Sequence, residues 1–380
     1  MDWNLTEDQK MVVDMVRDFA TNELQPIAAH LDEAGEFPLD NLRKMAELGL
    51  MGMNVPSEYG GSPMGAVALS LAVQEVARAC ASTAVTMSVT NMVGEAINAF
   101  GTEEQKKAFI PKVVSGEYPI GAFCLSEPGS GSDAAALKTK AVLDGDEWVL
   151  DGSKIFISHG AYSSVLIVWA RSNDRPKAAG VSAFIVEKDT PGLIVGKHED
   201  KMGLRGSNTV ALTFENCRIP KENLLGEEGQ GFKIAMMALD GGRIGVASQA
   251  VGIHQAALDA SVEYAKIREQ FGKPLGKFEA IQWFISDMAT ELEAARSLVL
   301  RAAWLKENKM KFSQEASMGK VFATEAVNRA VKNAVQIHGG YGYTKEYLVE
   351  RLFRDAKVTT IYEGTSEIQR LVIARNLIAD

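Results

Sequence analysis

Cysteine is scarce in this chain of 380 residues: Cys80, Cys124 and Cys217 are odd in number and far apart. No C-x-x-C pair occurs, which argues against a zinc knuckle or a disulfide framework and fits a reducing compartment. Proline is sparse, 11 in all, and none follows Pro274, so the rest of the chain is free to form long uninterrupted helices. No apolar run approaches the roughly 18 residues of a membrane-spanning helix. Basic blocks are missing too. Lys and Arg number 40 against 49 Asp and Glu, a net charge of −9, which is a poor fit to a protein that wraps nucleic acid. The opening Met-Asp-Trp-Asn-Leu-Thr-Glu has neither a basic nor an apolar leader region, so a cytoplasmic protein is expected. There is no G-x-x-x-x-G-K-[ST] loop, no G-x-G-x-x-G opening a βαβ unit and no G-x-S-x-G elbow. The five histidines show no ligand spacing, and no metal is expected.

What is present is an ordinary globular composition, 46% apolar and 23% charged, long enough for two or three domains. Residues 1–120 read as helical. Thr6 to Gln9 is an N-terminal cap signal, followed by an apolar face through Met11, Met15 and Phe19 with Val12 and Val16 beside it. Residues 121–232 change texture to short β-rich runs, with Asp144-Gly145 and Asp151-Gly152 as hairpin-turn signals. They predict a small antiparallel β-domain, a barrel or a sandwich. Residues 233–380 return to helix. From Glu279, Ile281, Ile285, Met288, Leu292, Ala295, Val299 and Ala302 mark one face of a helix longer than 20 residues. The expected fold is α+β and multidomain, with the two helical parts packed as one body or on both sides of the sheet.

Four segments carry candidate chemistry. Cys124-Leu-Ser-Glu-Pro-Gly-Ser-Gly-Ser-Asp133 crowds hydroxyls and glycines where a phosphate or heteroaromatic ligand could sit, or is an ordinary β-loop. Arg268-Glu-Gln-Phe-Gly272 could grip a pyrophosphate, or is a helix C-cap completed by Gly272 and Pro274. Gln336-Ile-His-Gly-Gly-Tyr-Gly-Tyr343 lets backbone approach a ligand, or simply ends a helix. Ile361-Tyr-Glu-Gly-Thr-Ser-Glu-Ile-Gln369 places Glu363 beside glycine ahead of a last helix, with Thr365 or Ser366 as its cap. Taken alone, Glu363 there is a solvated carboxylate.

Together, in this order, the four segments resemble the flavin-dependent acyl-CoA dehydrogenases, over nearly the whole chain from Leu-Thr-Glu-Asp-Gln through Pro56-Ser-Glu-Tyr-Gly-Gly61 to the last helix. Short-chain, butyryl-type members look closest, particularly over Asp240 to Ala247 and Ile361 to Ile373. The resemblance implies an N-terminal helical domain, a central β-barrel-like domain and a C-terminal four-helix bundle. It implies FAD, with Phe123, Leu125 and Ser126 against the flavin ring and Phe156, Ile157 and Ser158 along its other edge. Arg268 and Phe271 would reach the FAD of a neighbouring subunit in a homotetramer. Gln336, Gly339 and Gly340 would hold the adenosine part, and Thr365 and Glu367 the pyrophosphate and ribose region. Ser132, Asp240, Arg243 and Gly364 would position the acyl-CoA, and Glu363 would be the catalytic base.

The implied reaction is α,β-dehydrogenation of an acyl-CoA to the trans-2-enoyl-CoA. Glu363 takes the α-proton, the β-hydride passes to flavin N5, and electrons go on to electron-transfer flavoprotein. Some members place the base beside the arginine matching Arg243; here that neighbour is Gly242, which cannot act. Glutaryl-CoA members carry an arginine in the stretch matching residues 83–86, which here reads Thr-Ala-Val-Thr. A short acyl group is therefore favoured. Thr86, Ser88, Thr90, Asn91 and Glu95 make the expected pocket floor polar, which keeps branched and cyclic acyl groups open. An oxygen-using oxidase and a non-catalytic acyl-CoA-binding protein are the remaining alternatives.

Overall fold

The computed structural model describes residues 5–378. Met1 to Asn4, on which most of the reading of the N-terminus falls, lie outside the described residues. Thr6 opens α1 (Glu7–Phe19) with a capping box: its hydroxyl accepts from the Gln9 N–H at 3.2 Å, and the Gln9 side chain accepts from the Thr6 N–H at 3.0 Å. The buried stripe of α1 is Val12, Val13 and Val16, while Met11 is exposed. Each residue turns about 100°, so a stripe centred on Val12 and Val13 carries Met11 off the core face. Then follow α2 (Ala28–Ala34), α3 (Leu39–Glu47), α4 (Ala66–Ala79), α5 (Ala81–Phe100) and α6 (Glu103–Val114).

The central sheet has eight strands: β1 (Gly121–Cys124), β2 (Lys140–Asp144), β3 (Glu147–Ser158), β4 (Val165–Arg171), β5 (Val181–Glu187), β6 (Leu193–His198), β7 (Thr209–Pro220) and β8 (Leu224–Leu225). They follow the order β6-β7-β3-β2-β4-β5-β8, with β1 also paired to β4. Two expectations are corrected here. The path is open, with no closed barrel among the described residues, and the sheet is mixed, because β1 and β2 pair parallel to β4. Parallel pairing follows from β4 being covered on both faces. Val165, Ile167 and Trp169 pack towards α5, α6 and α7, whereas Leu166, Val168 and Ala170 face the interior of the sheet domain.

Asp144-Gly145 is the predicted hairpin turn between β2 and β3, with Gly145 at φ 65°. Asp151-Gly152 is not a turn. It lies within β3 at a shift in register against β7, and a Cβ on Gly152 would meet the Thr139 hydroxyl at 2.6 Å. The glycine marks a bulge and a close approach of chains.

The C-terminal part holds α7 (Gly231–Ile267), the hairpin β9 (Glu269–Gln270) and β10 (Lys273–Pro274), α8 (Glu279–Glu307), α9 (Ser313–His338), α10 (Leu348–Lys357) and α11 (Ser366–Ile378). The helices α7, α8 and α9 form a bundle, with α11 laid against α9. The first two of these also pack against α4, and α7 against α5, so Leu71, Val85, Met92, Ile244, Met288 and Val327 belong to one core. The helical parts thus form one body. Arg243 donates to Ser317 at 3.4 Å and the Tyr264 hydroxyl to the His338 carbonyl at 3.4 Å, so α7 and α9 run parallel at a constant offset.

Candidate active site

Glu363 sits in a turn that a carboxylate residue rarely adopts. Its φ is 53° and that of Gly364 is 90°, both left-handed. Three hydrogen bonds hold the turn. The Gln369 side-chain amide donates to the carbonyls of Glu363 at 3.2 Å and Gly364 at 2.8 Å, and Lys320 Nζ donates to the Gly364 carbonyl at 2.8 Å. Tyr362 donates its hydroxyl to the Gln249 amide oxygen and anchors the turn to α7. Thr365 then caps α11, its hydroxyl accepting from the Ile368 N–H at 3.4 Å.

One carboxylate oxygen of Glu363, Oε2, is enclosed and has no hydrogen-bond partner among the described residues. It faces the space that a side chain at Gly242 would take. A Cβ there would lie 2.7 Å from Oε2 and 2.9 Å from Met92 Sδ. Burial pushes the Glu363 carboxyl up to about 7, against the opposing pull of Arg243 and Lys320. Arg243 is itself buried. It pairs with Asp240, whose carboxylate also accepts from Ser313 at 2.9 Å. Burial raises Asp240 above its ordinary value even with Arg243 beside it.

Beyond Met92 lies a narrow cavity between α4, α5, α7 and α8. Leu69, Val73, Met92 and Ile244 line its sides, and Ser88, Glu95 and Lys306 its polar part. Glu95 accepts from Lys306 at 2.5 Å and from the Asn54 amide at 2.6 Å. The expected polar wall is smaller than its composition suggests. Asn91 is spent on the Leu50 and Met87 carbonyls and the Met53 N–H, Thr86 on the Ser82 carbonyl, and Thr90 on the Gly121 N–H. Asn91 and Thr90 tie α5 to its surroundings while Thr86 bonds back within α5, and only Ser88 and Glu95 of the five line the cavity.

Two β-domain segments come together beside β1. The Ser126 carbonyl accepts from the Ile155 N–H at 3.0 Å, which sets the Leu125–Ser126 edge against the strand carrying Phe156. Phe123 is half-buried, its ring 4.2 Å from that of Trp169. Phe156 stands 66% exposed at φ 57°, on a register shift of β3. Ile157 turns its side chain into the sheet core, so it offers a ligand only its backbone, and Ser158 is half-buried. Beneath this edge lies a buried ion pair. Glu127 accepts from Lys154 at 2.8 Å and from the N–H groups of Lys138 at 2.6 Å and Thr139 at 2.9 Å, while Lys154 also donates to the Leu125 carbonyl at 3.2 Å. Ser132 is on the exposed loop above.

The remaining predicted residues lie elsewhere. Arg268, Phe271, Gln336, Gly339 and Gly340 gather at the far ends of α7 and α9, where Arg268 lies 5.3 Å from the Tyr341 ring centroid. From Arg243 to Tyr264 the rise along α7 is about 30 Å, so this cluster is remote from Glu363 of the same chain. The C-cap reading of Gly272 is corrected. Phe271 and Gly272, at φ 51° and 73°, form the tip of the β9–β10 hairpin, and Phe271 is 93% exposed. Gln336, Gly339 and Gly340 are likewise exposed. Lys320, Lys306 and the Glu127–Lys154 pair escaped sequence reasoning. A lysine in a helical or strand pattern is ordinarily solvated, and nothing local distinguishes a buried one.

The chain matches the profiles of the acyl-CoA dehydrogenase N-terminal domain over residues 6–117, the middle domain over 122–217 and the C-terminal domain over 229–378. It is 49% identical over 379 residues to acryloyl-CoA reductase (NADH) of Anaerotignum propionicum, covering 99% of this chain and 96% of the relative. It is 52% identical over 375 residues to the mitochondrial short-chain specific acyl-CoA dehydrogenase of Bos taurus, covering 98% of this chain and 91% of the relative. A solved chain from work on the electron transferring flavoprotein of Acidaminococcus fermentans superposes with TM-score 0.98 at 48% identity, covering 100% of both chains.

Proposed function

The chain belongs to the acyl-CoA dehydrogenase family, and on that premise we propose that it oxidises a short-chain acyl-CoA to the trans-2-enoyl-CoA with Glu363 as the base. The observation that carries this reading is the enclosed, unpartnered Glu363 Oε2, aimed at the space left open by Gly242 beside the Met92 cavity.

FAD is the cofactor of this family, and when bound it supplies at N5 the acceptor for the β-hydride. The residues fit it. Phe156 projects an uncovered ring next to Ile155, whose N–H bonds the Ser126 carbonyl, and Phe123, Ser126 and Ser158 are each half-open. Gly129 and Gly131 have nothing within 4 Å of where a Cβ would stand. Thr365 and Glu367 open α11, whose N-terminal amides suit a pyrophosphate. Phe123, Leu125, Ser126, Phe156, the Ile157 backbone and Ser158 would hold the ring system. Arg268, Phe271, Gln336, Gly339 and Gly340 would serve a neighbouring subunit's cofactor, which agrees with their distance from Glu363 and the exposure of Phe271. That sharing requires at least a dimer, and a homotetramer is what the family resemblance implies. Exposed Ile267, Trp283 and Tyr343 supply apolar surface for it.

The chain's own residues do the rest. An α-proton beside a thioester is weakly acidic, and hydrogen bonds to the thioester oxygen stabilise the developing enolate. In this reading the Glu363 backbone N–H is one such donor, and a donor of this kind is worth about 3–4 kcal/mol. A carboxyl held at about 7 by burial is a stronger base than a solvated one once ionised. Ser132, Asp240 and Arg243 would hold the CoA part, and Gly364 would pass close to the acyl group. The Glu95–Lys306 pair at the cavity end supports a short chain. Electron-transfer flavoprotein would take the electrons onward. Three buried free thiols suit a reducing cytoplasm, and no described helix is long and apolar enough to cross a membrane.

A second reading, a branched or cyclic acyl group, is favoured by one feature: Ser88, Glu95 and Lys306 give the cavity a polar part that a straight alkyl chain does not match. Anaerobic flavin bleaching with butyryl-, hexanoyl-, isobutyryl-, glutaryl- and cyclohexanoyl-CoA separates the two. The first reading expects butyryl-CoA to bleach fastest and glutaryl-CoA not at all. Preference for the isobutyryl or cyclohexanoyl thioester would favour the second.

A further inference from the structure

Lys320 is fully buried on α9, yet among the described residues the only acceptor for its ammonium is the Gly364 carbonyl at 2.8 Å. Among the described residues no carboxylate lies within ion-pair distance of it; Glu363 exerts the largest favourable pull on its charge, ahead of Glu367 and Glu325, with Arg243 opposing. A lysine is expensive to bury without a carboxylate in contact. Its position here is specific: it grips the residue directly after the base, inside a turn with two left-handed residues in succession.

We propose that Lys320 is a positioning residue for the base: its ammonium fixes the Glu363–Gly364 turn through the Gly364 carbonyl and, with Arg243, supplies the positive field that keeps Glu363 ionised in a closed site. The inference rests on Glu363 being the base. The two cations act unequally. Arg243 is shared with Asp240 and Ser317, so part of its charge is already neutralised. Lys320 has no such partner.

The groups facing Glu363 can be named element by element. From α7 come Arg243 and, behind it, Asp240. From α9 come Lys320 and, further off, Glu325, which pairs with Arg370 at 2.7 Å. The turn itself contributes Tyr362, which burial and the neighbouring Glu363 hold protonated, and α11 the exposed Glu367. From α5 comes the uncharged Met92. Among these, Lys320 is the one uncommitted cation. Its own proton is loosened to about 8 by burial, opposed by Glu363, so it is charged through the range in which Glu363 must ionise.

The test uses the FAD-loaded enzyme and follows kcat/KM for butyryl-CoA against pH. Lys320→Met removes charge and donor, Lys320→Gln removes the charge and keeps a donor, and Lys320→Arg restores the charge. Both neutral variants should move the acid limb upward by about half a unit to one unit, the size expected of one nearby charge. They should lose about tenfold in kcat at pH 6.5 with KM within about twofold, and the arginine variant should return the limb towards the wild-type position. FAD content and melting temperature are read in parallel, and the glutamine variant decides the matter if the methionine variant does not fold. An unmoved acid limb in a folded, FAD-loaded neutral variant overturns the proposal and leaves Lys320 a packing residue. Normal turnover in Glu363→Gln fails the base assignment instead, so the two failures are distinguishable.

Discussion

A side chain at Gly242 and the carboxylate of Glu363 compete for one space: a Cβ on residue 242 would lie 2.7 Å from Glu363 Oε2. On the proposed reading Glu363 is the base, and the absence of a side chain at residue 242 leaves its carboxylate room. Gly242→Ala should displace the carboxylate or Met92, both flexible ends. We expect kcat to fall about tenfold or more. Gly242 is helical without positive φ, so alanine gains about 0.5–1 kcal/mol of helix preference and the melting temperature should change little. Steady-state kinetics and thermal unfolding of the one variant check both halves.

The pH dependence of activity follows from Glu363. With its carboxyl at about 7 in the free enzyme, kcat/KM should rise with pH through that value. Stability runs the other way. A carboxyl raised from the ordinary 4.5 favours the folded state while protonated, and that contribution is lost as pH rises through 7. Glu363→Gln should therefore melt above wild type at pH 8, with the gap closing towards pH 5. A gap independent of pH would contradict the shift.

On the proposed reading, chain length is set at the other end of the cavity. Glu95→Ala should open the space held by the Lys306 pair and raise the ratio of kcat/KM for hexanoyl- over butyryl-CoA by about tenfold, the worth of one or two methylenes in an apolar pocket. The pair is partly exposed, so its loss should cost under about 1 kcal/mol of stability. An unchanged ratio would show that the acyl chain never reaches Glu95.

The buried Glu127–Lys154 pair underlies the edge proposed to meet the flavin. Lys154→Met strands the Glu127 carboxylate and releases the Leu125 carbonyl. Removing one partner of a buried pair costs about 3–5 kcal/mol. The expected outcome is a lower melting temperature together with weakened FAD retention, read by calorimetry and by flavin absorbance after gel filtration.

The segments proposed to carry chemistry stood out in the sequence because they combine residue types rarely found together: Tyr362-Glu-Gly-Thr365, the Gly339-Gly340 pair and the Ser126 to Asp133 loop. Long helices were legible from apolar spacing, as with Met288, Leu292, Ala295 and Val299 on α8. Asp151-Gly152 misled because a bulge and a turn demand the same glycine, and only the approach of Thr139 separates them. Thr90 and Asn91 misled because a polar residue on a buried helix can serve the backbone around it as readily as a cavity. Lys320 and Lys154 were invisible because their roles come from partners 44 and 27 residues away in sequence.

The central claim is that Glu363 removes the α-proton. Its most direct measurement is the anaerobic bleaching of flavin by butyryl-CoA in wild type and Glu363→Gln, each loaded with FAD. The account predicts rapid bleaching in wild type and a rate about 10²–10⁴-fold lower in the variant at unchanged FAD content. Bleaching at comparable rates in both would contradict it and place the base elsewhere.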